Sequence, residues 1–192
     1  MRAPFDQIVY GYHGCDRSVG EAVLLGKTSL KNSTNDYDWL GSGIYFWENA
    51  PAKAFEWAKL CKENPRRTKG KISQPYVIGA IIQLQNCWNL LDKEHHSLLI
   101  EAHKKVSAVF ENAGKSIPQN TEKNRALDCA VINAAHELWQ METGSREPFD
   151  SVRAAFIEGE PLYQTAGFYS DTHIQICVRN AGCIKGFFRP EL

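Results

Sequence analysis

Two short stretches carry residue types that could do chemistry. Gly11-Tyr12-His13-Gly14 sets an imidazole beside glycine where a strand-like run ends, and Gly41-Ser42-Gly43-Ile44-Tyr45-Phe46-Trp47 sets a tyrosine on a β-rich run behind two glycines and before Glu48. A histidine at a strand end can hydrogen-bond a sugar hydroxyl while the glycine backbone bonds an amide. A tyrosine projecting from a second strand can stack on a flat heterocycle. Gly41 and Gly43 allow close backbone approach or a positive φ.

These pieces need a scaffold. At 192 residues the chain suits one domain, and 43% hydrophobic with 23% charged residues describes a soluble globular protein. Twenty-two basic residues balance twenty-two acidic ones, so no global field argues for nucleic acid or an anionic membrane. The first residues lack an apolar signal core, and no run reaches the ~18 apolar residues of a membrane span. The six cysteines are scattered without a C-x-x-C pair, which suits reduced, mostly buried thiols in the cytoplasm and no metal site.

Along the chain, Ile8 to Tyr12 reads as a first strand, Arg17 to Leu25 as a helix with Gly26 as its C-cap, and Gly43 to Trp47 as a second strand. Pro51 suits the first turn of a helix that places Ala54, Trp57, Ala58 and Cys61 on one face. Lys62, Arg66, Arg67, Lys69 and Lys71 make the following loop the most basic segment, and Tyr76 to Leu84 reads as a buried strand. Residues 92–145 change to helical periodicity, and strands return in "DSVRAAFIEG", "HIQICVRN" and "CIKGFF". Strands at both ends around a helical block predict an α+β fold.

A flat, amide-bearing ring on a ribose describes nicotinamide riboside, and the motifs in this order resemble the ADP-ribosyltransferase superfamily, on its diphtheria-toxin and poly(ADP-ribose) polymerase side. That branch carries a His-Tyr-Glu triad over three strands. "YHG" at Tyr12–Gly14 resembles its first motif and "GSGIYF" its second, while "HIQICVRNAGCIKGFF" resembles the third in hydrophobic pattern. The likeness is clear over residues 8–60, weaker over 149–188, and does not extend to 92–145.

The resemblance implies one domain over 1–192, a split β-sandwich with a helical insertion at about 92–145. It implies NAD as substrate, in a cleft between two sheets. His13 would bond a ribose hydroxyl and Gly14 the carboxamide; Tyr45 would stack on nicotinamide with Trp57 as the opposite wall, and Ser42 and Gly43 would line the site. The implied activity is mono-ADP-ribosyl transfer to a protein or nucleic-acid acceptor. NAD glycohydrolysis and non-catalytic NAD or ADP-ribose binding are the alternatives. Bacterial and phage members act as intracellular toxins or host-modifying factors, which would bring an inhibitor or antitoxin partner.

The departure lies at the third position, where the strand pattern places Gln175 instead of glutamate, with His173, Glu158 and Glu160 as competitors. A carboxylate ~4 Å from an oxocarbenium gains roughly 4 kcal/mol at an effective dielectric of about 20. Losing half of that costs about thirtyfold in rate. Polymer synthesis is therefore not expected. Arg153, alternating with apolar neighbours, is a further candidate to face the cleft; Arg125 and Asp128 read as an ion pair at i, i+3, and His95, His96 and His103 as surface residues.

Overall fold

The computed structural model describes residues 7–67, 72–121, 124–141 and 148–191. Lys69 and Lys71 of the basic loop lie outside them. Strand β1 (Ile8–Asp16) runs on through the glycines where a turn was expected, because its nine residues pair with β3 (Pro75–Gln83) from Ile8↔Gln83 to Asp16↔Pro75. Asp16 then caps α1 (Arg17–Leu24), accepting from the Ser18 amide at 3.0 Å. The same carboxylate takes the amides of Gln74 and Ser73, so hydrogen bonds hold it well below the usual carboxylate range.

β2 (Ile44–Glu48) leads to α2 (Pro51–Glu63), with proline at its first turn as expected. The helical block holds α3 (His96–Asn112) and α4 (Ala126–Met141). It is framed by β4 (Cys87–Asn89), too short to show a periodicity in sequence, and β5 (Ser151–Phe156). β6 (His173–Val178) and β7 (Ile184–Phe188) complete the α+β architecture. Among the described residues no helix is long and apolar enough to cross a membrane.

The strands form a mixed sheet in the order β4-β5-β6-β2-β1-β3-β7, antiparallel throughout except for β4 beside β5. Two sheets were expected; one hydrogen-bonded sheet is found. Its thinnest seam is β1–β2, with the ladder pairs Gly11↔Glu48 and Tyr12↔Trp47 and, just beyond them, the Asn49 amide on the Tyr10 carbonyl at 3.0 Å.

Each face buries its own core. Directly opposed residues share a face, so Tyr12, Trp47, Gln175 and Ala154 form one row across four strands. Helix α2 covers the Tyr12–Trp47 end of this face through Ala54 and Trp57. Helices α3 and α4 cover the other end, packing on Trp88, Val152, Ala154 and Cys177. Gln175 stands between the two covers. The opposite face buries Phe46, Ala80, Ile82, Ile176 and Val178.

Candidate functional site

His13 belongs to the second of these faces, with its ring 5.7 Å from that of Phe46. Its Nδ1 donates to the main-chain carbonyl of Tyr45 at 2.8 Å, just where β1 and β2 cease to pair. A carbonyl only accepts, so the proton sits on Nδ1 and Nε2 is left as an acceptor. Burial lowers the imidazole below its ordinary value, against the opposing effect of the Tyr45 bond, and favours this neutral form.

Tyr45 faces the other way, into the cluster under α3 and α4. Its hydroxyl donates to the Gly41 carbonyl at 2.6 Å and accepts from the Leu40 amide at 2.8 Å. Desolvation pushes the phenol far above its ordinary value. Gly41 has φ +72°, the left-handed conformation that lets the loop turn back onto the tyrosine.

At the loop whose Ser42 and Gly43 were expected to line the site, the amides are engaged internally. Gly41 donates to Asp38, Ser42 to the Asn133 side chain at 3.4 Å, and Gly43 to Ser33 at 3.1 Å. Arg179 takes the Ser42 carbonyl at 3.1 Å. Gly14 has a packing reason as well: a Cβ there would run into the Ala54 carbonyl of α2.

Trp57 packs on Trp47, with centroids 5.9 Å apart, in the cluster under α2, whereas Tyr45 belongs to the neighbouring cluster. The structure thus brings His13 to the main chain of Tyr45 and puts Tyr45 and Gln175 on a common face. It does not gather the side chains of His13, Tyr45 and Gln175 at one point.

Gln175 bonds a neighbour on its own strand, with Nε2 2.9 Å from His173 Nε2. His173 Nδ1 lies 2.7 Å from the Asp171 carbonyl and 3.8 Å from Glu158 Oε2. Glu160 is exposed; its amide donates to Ser170 Oγ at 3.1 Å and its carbonyl accepts from the Ser170 amide at 2.9 Å. Lys53 reaches from α2 to the Asp171 carboxylate at 2.7 Å. Trp39 and Phe156, 4.7 Å apart, wall this corner, and Arg125, paired to Asp128 at 3.7 Å, lies over the Trp39 ring.

Arg153 does not face this corner. It lies on the opposite face, where Nε and Nη2 grip Glu48 at 2.5 and 2.7 Å, with both side chains nearly buried. The pair spans 105 residues, so nothing local in sequence announced it. Trp47 was also missed as more than a strand residue. Its indole N–H is buried with no acceptor among the described residues, in the same row as Gln175. His96 bonds the Leu90 carbonyl at 3.0 Å, and among the described residues no three His, Cys, Asp or Glu gather as a metal site.

Fold and site together define an α+β protein with a seven-stranded mixed sheet and a polar corner between two helical covers. The chain is similar to the protein MJ0359 of Methanocaldococcus jannaschii, itself described as uncharacterized: 29% identity over 190 residues, spanning 91% of this chain and 83% of that one. No protein-family model matches the chain, and no solved structure matches it.

Proposed function

We propose that the chain is an NAD-dependent mono-ADP-ribosyltransferase with an ADP-ribosyltransferase-like core, in which the helices between β4 and β5 are the insertion. The observation carrying this reading is the adjacency of the three motif strands, in the order β6-β2-β1, with His13 bonded to the Tyr45 carbonyl between two of them. The resemblance spreads its three motifs over three strands, and the strands that carry them here lie side by side although β6 is far from β1 and β2 in the chain.

Cleavage of the nicotinamide glycosidic bond expels a neutral amide from a cationic ring. Little proton transfer is needed, and stabilisation of the oxocarbenium-like transition state dominates. Neutral His13, whose ring lies on the other face of the sheet, would act through its bond to the Tyr45 carbonyl, fixing the main chain between two motif strands. Gln175 would offer its amide oxygen to the ribose 2′-OH, and the unpartnered Trp47 N–H is a buried donor in the same row. The acceptor of ADP-ribose would be a protein side chain or a nucleic-acid base. A non-catalytic ADP-ribose-binding module is the second reading, favoured by an amide in place of a carboxylate at position 175.

The test is nicotinamide release from NAD by purified protein, with and without cell lysate. Release from the wild type is expected, rising by about thirtyfold in Gln175→Glu as a carboxylate restores about half of a ~4 kcal/mol charge interaction. Binding of intact NAD or ADP-ribose without release supports the second reading. Neither binding nor release in either protein overturns both.

A further inference from the structure

His173 lies two residues before Gln175 on β6, so both side chains rise from the same face. Its Nδ1 stands 2.7 Å from the Asp171 carbonyl, which can only accept, so Nδ1 carries the proton of the neutral ring. Nε2 is then a bare lone pair. The Gln175 group 2.9 Å from it must be the donating NH2 end of the amide, because the oxygen would meet lone pair with lone pair. The amide oxygen consequently points away from the imidazole, and among the described residues nothing bonds it.

The ring is firmly held. His173 is 7% exposed, stacked on Phe156 at 5.7 Å and flanked by Trp39 at 6.4 Å. Lys53 faces it from α2, Asp171 from the turn before β6 and Glu158 from the segment after β5, with Arg125 beyond Trp39. Burial lowers its proton affinity and Lys53 adds to that, while the Asp171 carbonyl and the two carboxylates oppose it.

We infer that His173 is a positioning residue: its neutral imidazole holds the Gln175 amide with the oxygen outward as an acceptor, and its protonation reverses the amide and turns that acceptor into a donor. Protonated Nε2–H requires an acceptor, so the amide turns by half a rotation about its last single bond. The outward NH2 group can no longer accept a hydroxyl, and it presents partial positive charge where a cation would develop. What the oxygen does for a substrate rests on the ADP-ribosyl-transfer reading; the coupling of the two side chains does not.

Two measurements test this. The Gln175 side-chain amide, assigned by its loss in Gln175→Glu, is followed by nitrogen-15 NMR beside the His173 ring from about pH 8 down to about pH 4, because burial holds this imidazole below its ordinary range. The two should move with one midpoint, and the amide titration should vanish in His173→Ala. An amide that ignores the imidazole, or that titrates unchanged in His173→Ala, overturns the inference.

Nicotinamide release is then measured in a double-mutant cycle. His173→Ala should slow the wild type about fivefold, the value of one net hydrogen bond, and Gln175→Glu less than about twofold, since a carboxylate accepts from either oxygen. His173→Gln, with a carbonyl oxygen standing in for Nε2, should restore most of the rate and remove its acidic fall. Equal losses in both backgrounds indicate packing alone and overturn the inference. Coupled titration without release by any variant supports the positioning role and sinks the transferase reading.

Discussion

His13 Nδ1 donates to the main-chain carbonyl of Tyr45 at 2.8 Å, so a β1 side chain takes the carbonyl at the point where the β1–β2 ladder stops. Tyr45 meanwhile turns its own side chain to the opposite face and ties its hydroxyl to Leu40 and Gly41. One residue thus joins the two motifs through its backbone and the loop before it through its ring.

Tyr45→Phe should leave the ring packed but strip the Leu40 amide of its acceptor. Leu40 is buried, so the cost should be about 1–3 kcal/mol, read as a shift of the urea midpoint. If the tyrosine acts on nicotinamide through its ring face, nicotinamide release at 25 °C should survive the change. An unchanged midpoint would show that the hydroxyl bonds contribute nothing net.

The Glu48–Arg153 pair should be expensive to break and cheap to replace. Glu48→Leu or Arg153→Met alone leaves one nearly buried charge without its partner, at a cost of about 3–5 kcal/mol. Glu48→Leu with Arg153→Met should cost clearly less than the two single losses together. Additive losses in chemical denaturation would argue that the charges do not depend on each other.

Acid should destabilise the fold from near pH 6.5 downwards. Burial holds His13, His136 and His173 below the ordinary 6.5, His136 at about 3. Between the native values and 6.5 the unfolded chain binds more protons than the folded one, so stability falls as pH falls through that window. His136 is the sharpest case, 6% exposed between Trp88 and Phe149 with neither nitrogen partnered among the described residues. Melting curves of His136→Leu should lose less between pH 7.5 and pH 5 than those of the wild type, by up to about 1.4 kcal/mol per pH unit. Parallel curves would exonerate this imidazole.

The cysteines should be inert in the native state. All six are buried, and desolvation raises Cys15 and Cys87 to about 11 and Cys177 and Cys183 to about 12. A thiol reagent at about pH 8 should react slowly with the folded protein and with all six once it is denatured. Rapid labelling of one thiol in the native protein would point to an opening of the sheet on the timescale of the reagent.

Sequence by itself determined what short-range physics controls. Pro51 started α2, Gly26 followed the end of α1, the apolar run before Leu84 became β3, and the change of period after residue 92 became α3 and α4. Those features depend on dihedral preference and on which side chains a helix or strand turns inward. Tertiary structure alone decided the rest. β1 passed through Gly11 and Gly14 because β3 paired with its whole length, and three-residue β4 exists only because β5 lies beside it. The grip of Arg153 on Glu48 and the face on which His13 fell depend on register between distant strands. A shift of one residue would reverse every side chain, and no local pattern encodes that choice.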